Sequence, residues 1–267
     1  MSEEILKQIS ENYRKVRNTF RFLLANINNE DDFTKADLVD ASELPKLDQY
    51  MLALLDEVNA KCQLAYQEYR FSDVTTILTN LMTNEFSAYY LDFTKDILYI
   101  EKKNSLRRRQ VQTVLYHAVN VLVRLWAPIL VHTAEEVNDF FKGEEESIHL
   151  GRFAEPFNIA DAETLKAKVG RLMQIRSDIL KALEEARAEK VIGKSLEAEV
   201  LVNVSDEDRA LIAELCGDQF HQWLIVSKVS FSIDELKSYD VCQVEIIKAE
   251  GTVCPRCWNI SEQANEE

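Results

Sequence analysis

Through the first 140 positions apolar residues return at steps of three and four among charged and polar ones, the spacing that lines one face of an α-helix. From 3 to 27 the stripe is Ile5, Ile9, Tyr13, Val16, Phe20, Leu23, Leu24 and Ile27, with Arg14, Arg17 and Arg21 at helical spacing on the opposite side. The polar, acidic stretch Asn28 to Leu44 reads as a loop leading to Pro45. A second helix, about 47–69, carries Leu47, Met51, Leu54, Val58, Cys62, Ala65 and Tyr69. A third starts behind Ser72 as N-cap and runs through Val74, Ile77, Leu78 and Leu81 to the aromatic group Phe86, Tyr89, Tyr90 and Phe93. A fourth runs from Ser105 to a stop or kink near Pro128. Thr133 and Glu136 stand at capping-box spacing ahead of a short helix ending at Phe140-Phe141. Four long amphipathic helices joined by connectors predict an α-helical bundle.

The periodicity lapses between Lys142 and Ala162, where Glu144 to Glu146 and Pro156 fall, and a domain boundary is expected there. A fifth helix, about 162–189, has the stripe Leu165, Val169, Leu172, Ile175, Ile179, Leu183 and Ala186, with Gly193 in its C-cap region. The period then drops to two: Ala198, Val200, Val202 and Val204 predict a strand. A helix over Asp206 to Leu215 and strands over Trp223 to Phe231 and Val241 to Ala249 complete a small α/β unit. The expected fold class is mainly α: a helical bundle over 1–145, a long helix plus a small α/β domain over 146–250, and a terminal segment over 251–267.

Composition narrows the classes. Only 6 Gly and 4 Pro in 267 residues, with 46% hydrophobic and 29% charged, fit a compact helix-rich chain and exclude a turn-rich β-sandwich. No apolar run approaches about 18 residues, so no membrane span is expected. The N-terminus has no uninterrupted apolar signal region, and a cytoplasmic protein with reduced thiols follows. A net charge of −15, from 46 acids against 31 bases, disfavours non-specific coating of nucleic acid, DNA included.

Within that acidic chain Lys102, Lys103, Arg107, Arg108 and Arg109 put five cations in eight residues. With Arg14, Lys15, Arg17, Arg21 and Arg124 they make a candidate phosphate track, RNA being the expected polymer. The alternative is a solvated helix start with local carboxylate partners. Gly193-Lys194-Ser195 resembles the end of a phosphate-binding loop, but position 188 is Ala188 and the segment follows a helix and precedes a strand, so it is rejected as a nucleotide site. His117, His132, His149 and His221 have no partner at metal spacing, and no catalytic constellation is visible.

Cys254-Pro255-Arg256-Cys257-Trp258-Asn259 has the spacing of the first arm of a zinc knuckle, yet ten residues follow Cys257 and none is Cys or His. A structural zinc site takes four ligands. Three readings stand: a redox dithiol, two unrelated surface cysteines, or half a knuckle in which Gly251 and Pro255 supply the turn and Trp258 packs beside the site or stacks on a base.

The string Tyr13-Arg14-Lys15-Val16-Arg17-Asn18-Thr19-Phe20-Arg21-Phe22-Leu23-Leu24-Ala25-Asn26 resembles the helix that opens the anticodon-binding domain of isoleucyl-tRNA synthetases. Similar matches are Leu91-Asp92-Phe93-Thr94-Lys95-Asp96 with Leu98-Tyr99, the run from Arg108 to His117, Leu125-Trp126-Ala127-Pro128-Ile129-Leu130 with His132 to Glu136, Ile192 to Ala198, and Cys254 to Asn259. They cover nearly the whole chain in order. The resemblance to this bacterial-type class I family implies the tRNA-binding part of an ATP-dependent ligase that joins isoleucine to tRNA(Ile). The family's catalytic body binds ATP and Mg, and its whole enzyme is expected to be monomeric. The chain lacks the His-x-Gly-His and Lys-Met-Ser-Lys-Ser signatures, so the fragment alone is expected to be inactive.

In the family the terminal knuckle holds zinc through two Cys pairs. Only Cys254 and Cys257 carry over, and the site is expected to be empty, reduced and mobile, with the chain truncated within the knuckle. The RNA-binding candidates are Arg14, Arg17, Arg21, Lys102, Arg107, Arg108, Arg109 and Trp258. Rival readings are the corresponding domain of a valyl or leucyl relative, and a helical protein-interaction module without an RNA role.

Overall fold

A computed structural model describes residues 3–29, 31–141 and 145–262. Of the positions discussed above, Lys142 and Glu144 lie outside the described residues, as do the ends at 1–2 and 263–267. Backbone contacts divide the chain into two units, one through Ala162 and one from Glu163.

The first unit is built on α1 (Glu3–Ala25), α2 (Lys46–Gln67), α3 (Phe71–Asn80), a π-helical segment (Leu81–Tyr90), α4 (Leu91–Ile100), α5 (Leu106–Trp126) and α6 (Val131–Phe141). Helix α5 is the hub, packing against α1, α2, α4 and α6 and burying Val111, Val114, Leu115, Val119 and Leu122. Ser105 caps it through the Arg108 amide, as its sequence position predicts. In α1 the apolar stripe is buried only in its second half, at Val16, Phe20 and Leu23; Ile5, Ile9 and Tyr13 are exposed.

Helices α3 and α4 and the π segment between them form one continuous helical stretch, 71–100. A series of buried positions falls at every fourth residue: Val74, Leu78, Met82, Phe86, Tyr90, Thr94 and Leu98. An α-helix of about 3.6 residues per turn would drift about 40° at each such step. The π segment, hydrogen-bonded from i to i+5 and so holding more residues per turn, cancels the drift and keeps one face on the core.

Three capping expectations fail for local reasons. The N-cap of α3 is Arg70, and the Ser72 carbonyl instead accepts from the hydroxyls of Thr75 and Thr76. Thr133 and Glu136 lie inside α6, where they bond Tyr13 and Arg17. Helix α7 (Ala162–Ala188) is closed by Lys190 at φ 63°, whose neighbour Val191 donates to the Ala186 carbonyl at 2.9 Å; Gly193 is not its cap. Tyr69, expected on the buried stripe of α2, lies beyond the helix end at φ 58° and is exposed.

Residues 145–161 belong with the bundle, so the boundary falls later than the expected 145/146. Arg124 grips Glu145, the Asn59 amide donates to the Ala154 carbonyl at 2.7 Å, and the Asp56 carboxylate accepts from the amides of Phe157 and Asn158.

The second unit consists of α7 (Ala162–Ala188), β1 (Ala198–Asn203), α8 (Asp206–Cys216), α9 (Phe220–Leu224), β2 (Lys228–Phe231), β3 (Gln243–Lys248) and the hairpin β4 (Thr252–Val253) with β5 (Ile260–Ser261). Strand β1 is central, parallel to β2 and antiparallel to β3, with Val200 opposite Val229 and Ile246. Buried Asp178 on α7 accepts from the amides of Val241 and Cys242 and so fixes the entry to β3. Trp223, expected at the start of a strand, lies in α9, stacked near Phe220 and buried.

Candidate nucleic-acid interface

Arg14, Arg17 and Arg21 share one shoulder of α1 and all three are exposed. Arg17 is held in place, its two terminal nitrogens donating to Glu136 of α6 at 2.7 and 2.9 Å. Beside it Tyr13 shares a 2.9 Å hydrogen bond with Thr133, and that bond together with Arg17 lowers the phenol pKa. Arg14 and Arg21 have no ion pair among the described residues.

The 102–109 cluster divides in two. Lys102 and Lys103 are exposed. Arg107, Arg108 and Arg109 are not the open phosphate contacts expected of them, because carboxylates of the same unit already hold their guanidinium groups. Arg107 pairs with Asp48, which is fully buried and also accepts from the Tyr90 hydroxyl at 2.9 Å. Burial works against the Arg107 charge, but Asp48 outweighs it and the guanidinium pKa rises. Arg108 makes a two-pronged contact with Asp32, 2.6 Å on each side, and donates to the Leu98 carbonyl. That contact holds the Asp32 carboxyl below its usual range.

Arg109 lies over the Phe33 ring at 5.9 Å, bonds Gln112 and Asn104, and stands 3.6 Å from Asp32. Together Arg108 and Arg109 fasten the loop 28–44 to α5. Arg124 is likewise engaged, by Glu145 and the Arg152 carbonyl. The sequence displays the density of these cations but not their partners, which lie 59 and 76 residues away for Arg107 and Arg108.

A groove of about 530 Å³ runs between α1 and α6 beside the arginine shoulder. Buried Phe20 and Val137 line it with Leu24, together with exposed Arg17, Arg21 and Phe140, the carboxylate of Glu136, and Asn28 and Asn29. Sequence reasoning passed over Phe140 and the two asparagines. The phenylalanine stands in an ordinary apolar stripe, and only its 55% exposure sets it apart.

In the second unit Cys254 and Cys257 sit in the turn of the β4–β5 hairpin. Gly251 at φ 125° opens it, and a Cβ there would stand 2.5 Å from the Ser261 carbonyl carbon. The amides of Cys257 and Arg256 and the Cys257 thiol face the Cys254 sulfur and lower its pKa, whereas burial raises that of Cys257. Trp258, at φ 63° and 69% exposed, donates its backbone amide to the Cys254 carbonyl at 2.9 Å. The hairpin is tied to the sheet by the Ile260 amide, which donates to the Ser227 hydroxyl at 2.7 Å.

All five cysteines are free, and no group of three or more His, Cys, Asp or Glu suited to a metal occurs among the described residues. The pair fits one arm of a tetrahedral site and not the closed set of four. At Gly193 the amide is taken by the Glu197 carboxylate at 2.8 Å, which leaves no anion cradle there. His117 is largely buried beside the rings of Tyr116 and Phe157, and burial pushes its pKa down to about 4. No described helix is long and apolar enough to cross a membrane.

Residues 48–202 match the family described as the anticodon-binding domain of tRNA ligase. Over its whole length the chain is 46% identical to the isoleucine–tRNA ligase of Geobacillus thermodenitrificans, 43% to that of Exiguobacterium sibiricum and 41% to that of Lactobacillus acidophilus. It spans about 30% of the length of these relatives. The matched segment runs from α2 through α7 into β1, and the chain belongs to the family of anticodon-binding domains of tRNA ligases.

Proposed function

We propose that this chain is the part of an isoleucine–tRNA ligase that grips the anticodon stem-loop of tRNA(Ile), and that the ATP-dependent joining of isoleucine belongs to the rest of such an enzyme. The observation that carries this reading is the anticodon-binding match over 48–202, supported by the isoleucine–tRNA ligases that align with the chain from end to end. The phosphate contacts are assigned to the exposed cations: Arg14, Arg17 and Arg21 on α1, with Lys102 ahead of α5. Arg107, Arg108 and Arg109 act at one remove, by holding the loop 28–44 and α2 against α5. Exposed Trp258 is available to stack on a base.

Zinc is assigned to the family's complete knuckle, where Cys254 and Cys257 would supply two of the ligands and the amide-lined turn would hold the Cys254 thiolate. No step depends on it here.

The test is a filter-binding titration of the chain with isoleucine tRNA and an unrelated tRNA at two salt concentrations. Affinity is expected to fall with salt and to favour the isoleucine tRNA. Replacing Arg14 or Lys102 by Gln is expected to weaken binding and reduce the salt slope by about one each. Salt-independent binding, or equal affinity for both tRNAs, would sink the reading.

A further inference from the structure

Two grooves flank α1, and they differ in the one feature that recognition of an unpaired base requires. The groove of about 610 Å³ facing the π segment is lined by Lys15, Asn18, Thr83, Asn84, Ser87 and Lys95. Phe22, Ala88 and Leu91 also line it, but Lys95 is engaged by Asp92 at 2.7 Å and the Phe22 ring is less exposed than that of Phe140. The groove facing α6 combines apolar lining residues, a half-exposed Phe140 and the guanidinium groups of Arg17 and Arg21. Its volume falls in the range of about 300–1,000 Å³ usual for small-ligand sites.

We propose that the α1–α6 groove receives one unstacked base of the RNA loop, with Phe140 as the stacking face. Single-stranded RNA is recognised by splaying a base out, stacking it on an aromatic side chain and hydrogen-bonding its exposed edge. Each part has a counterpart here. Phe140 lines the groove and exposes its ring to solvent, where an apolar surface costs free energy unless something covers it. Arg21, without an ion pair among the described residues, is placed for the phosphate of the splayed nucleotide; Arg17 is pre-positioned by Glu136.

Asn28 and Asn29 supply amides for the base edge. The Asn29 carbonyl oxygen accepts from the Asp31 amide at 3.1 Å, which fixes the side chain and leaves its NH₂ group without a partner among the described residues. Charge complementarity selects the occupant: in a chain of net charge −15, this groove carries two guanidinium groups, Arg17 and Arg21, against the one carboxylate of Glu136, and a nucleotide pairs a flat apolar ring with an anion. The proposal rests on the RNA-binding reading above and adds the place where a base is held.

The experiment uses the full chain with isoleucine tRNAs carrying 2-aminopurine at each anticodon-loop position in turn. One position is expected to change its emission on binding, as that base leaves the stack. Phe140→Ala should abolish that change and weaken binding by about 5- to 100-fold, the range for losing one stacked base. Phe140→Leu, which keeps the apolar bulk, should lose the same signal and serves if the alanine variant does not fold. Asn28→Ala should narrow the discrimination among bases substituted at the responding position.

If unaltered chain fails to bind isoleucine tRNA in a salt-dependent way, both readings fall. If it binds, and Arg14→Gln weakens it while both Phe140 variants bind within about 2-fold with unchanged emission, the groove proposal alone is overturned.

Discussion

Asp48 has no solvent contact and is held between the Arg107 guanidinium and the Tyr90 hydroxyl. Removing one member of such a pair leaves the other buried and unmatched, which typically costs about 3–5 kcal/mol. Asp48→Ala should therefore lower the urea midpoint sharply, whereas Arg14→Gln, on an open helix face, should leave it unchanged. His117 adds a pH dependence of known sign. Unfolded, its imidazole takes a proton near its ordinary pKa of 6.5; folded, burial delays this to about 4. The stability it contributes is complete above pH 6.5 and is lost as pH falls through that window, up to about 3 kcal/mol. Urea unfolding at pH 7 and pH 5 should show the loss, and His117→Phe should flatten it. At this scale the sequence was half legible. The arginines of α1 stay exposed as their helical spacing implied, but the fate of Arg107 to Arg109 depended on Asp48 and Asp32. Those partners come from distant segments that only the tertiary fold brings near.

Among the elements, the long helices of the bundle, α7, β1, α8 and β3 fall where their apolar periods place them, because buried apolar positions recur along each at its own period, even in α5, which is covered on most sides. The misreadings have local causes. Trp223 belongs to a short run of aromatic and aliphatic residues whose period cannot separate a helical turn from a strand, and α9 is only five residues long. Ser72 and Thr133 carry capping chemistry at positions already inside helices, where their backbone carbonyl or hydroxyl bonds neighbouring groups instead. In the hairpin Gly251 adopts a backbone conformation that side chains rarely take, and has no room for a Cβ. Gly251→Ala should disrupt the β4–β5 pairing at a cost of about 1–3 kcal/mol. The Cys254 thiol would then lose its aligned amides, and alkylation followed against pH should show its pKa moving up toward that of an ordinary thiol. An unchanged profile would mean that the amides do not set it.

For the molecule as a whole, a strongly acidic protein is assigned an anionic partner, and placement resolves the conflict more than number does. Several cations of the first unit are absorbed into the fold, while Arg14 and Arg21 on α1 and Lys102 and Lys103 ahead of α5 stay open. Long-range repulsion by the acids opposes an anionic partner wherever such cations are lacking, and salt, by screening both effects, weakens the net attraction. The π-helical segment constrains the chain in another currency, its length. Seven core positions from Val74 to Leu98 hold one face because extra residues are wound into the turns of the π segment in their middle. Deleting a single residue from 81–90 would turn everything after it by about 100° relative to α3 and roll Tyr90, Thr94 and Leu98 off the core. Homologous chains should therefore change length freely in the connectors of this bundle but keep the residue count of that stretch fixed, even where every side chain in it differs.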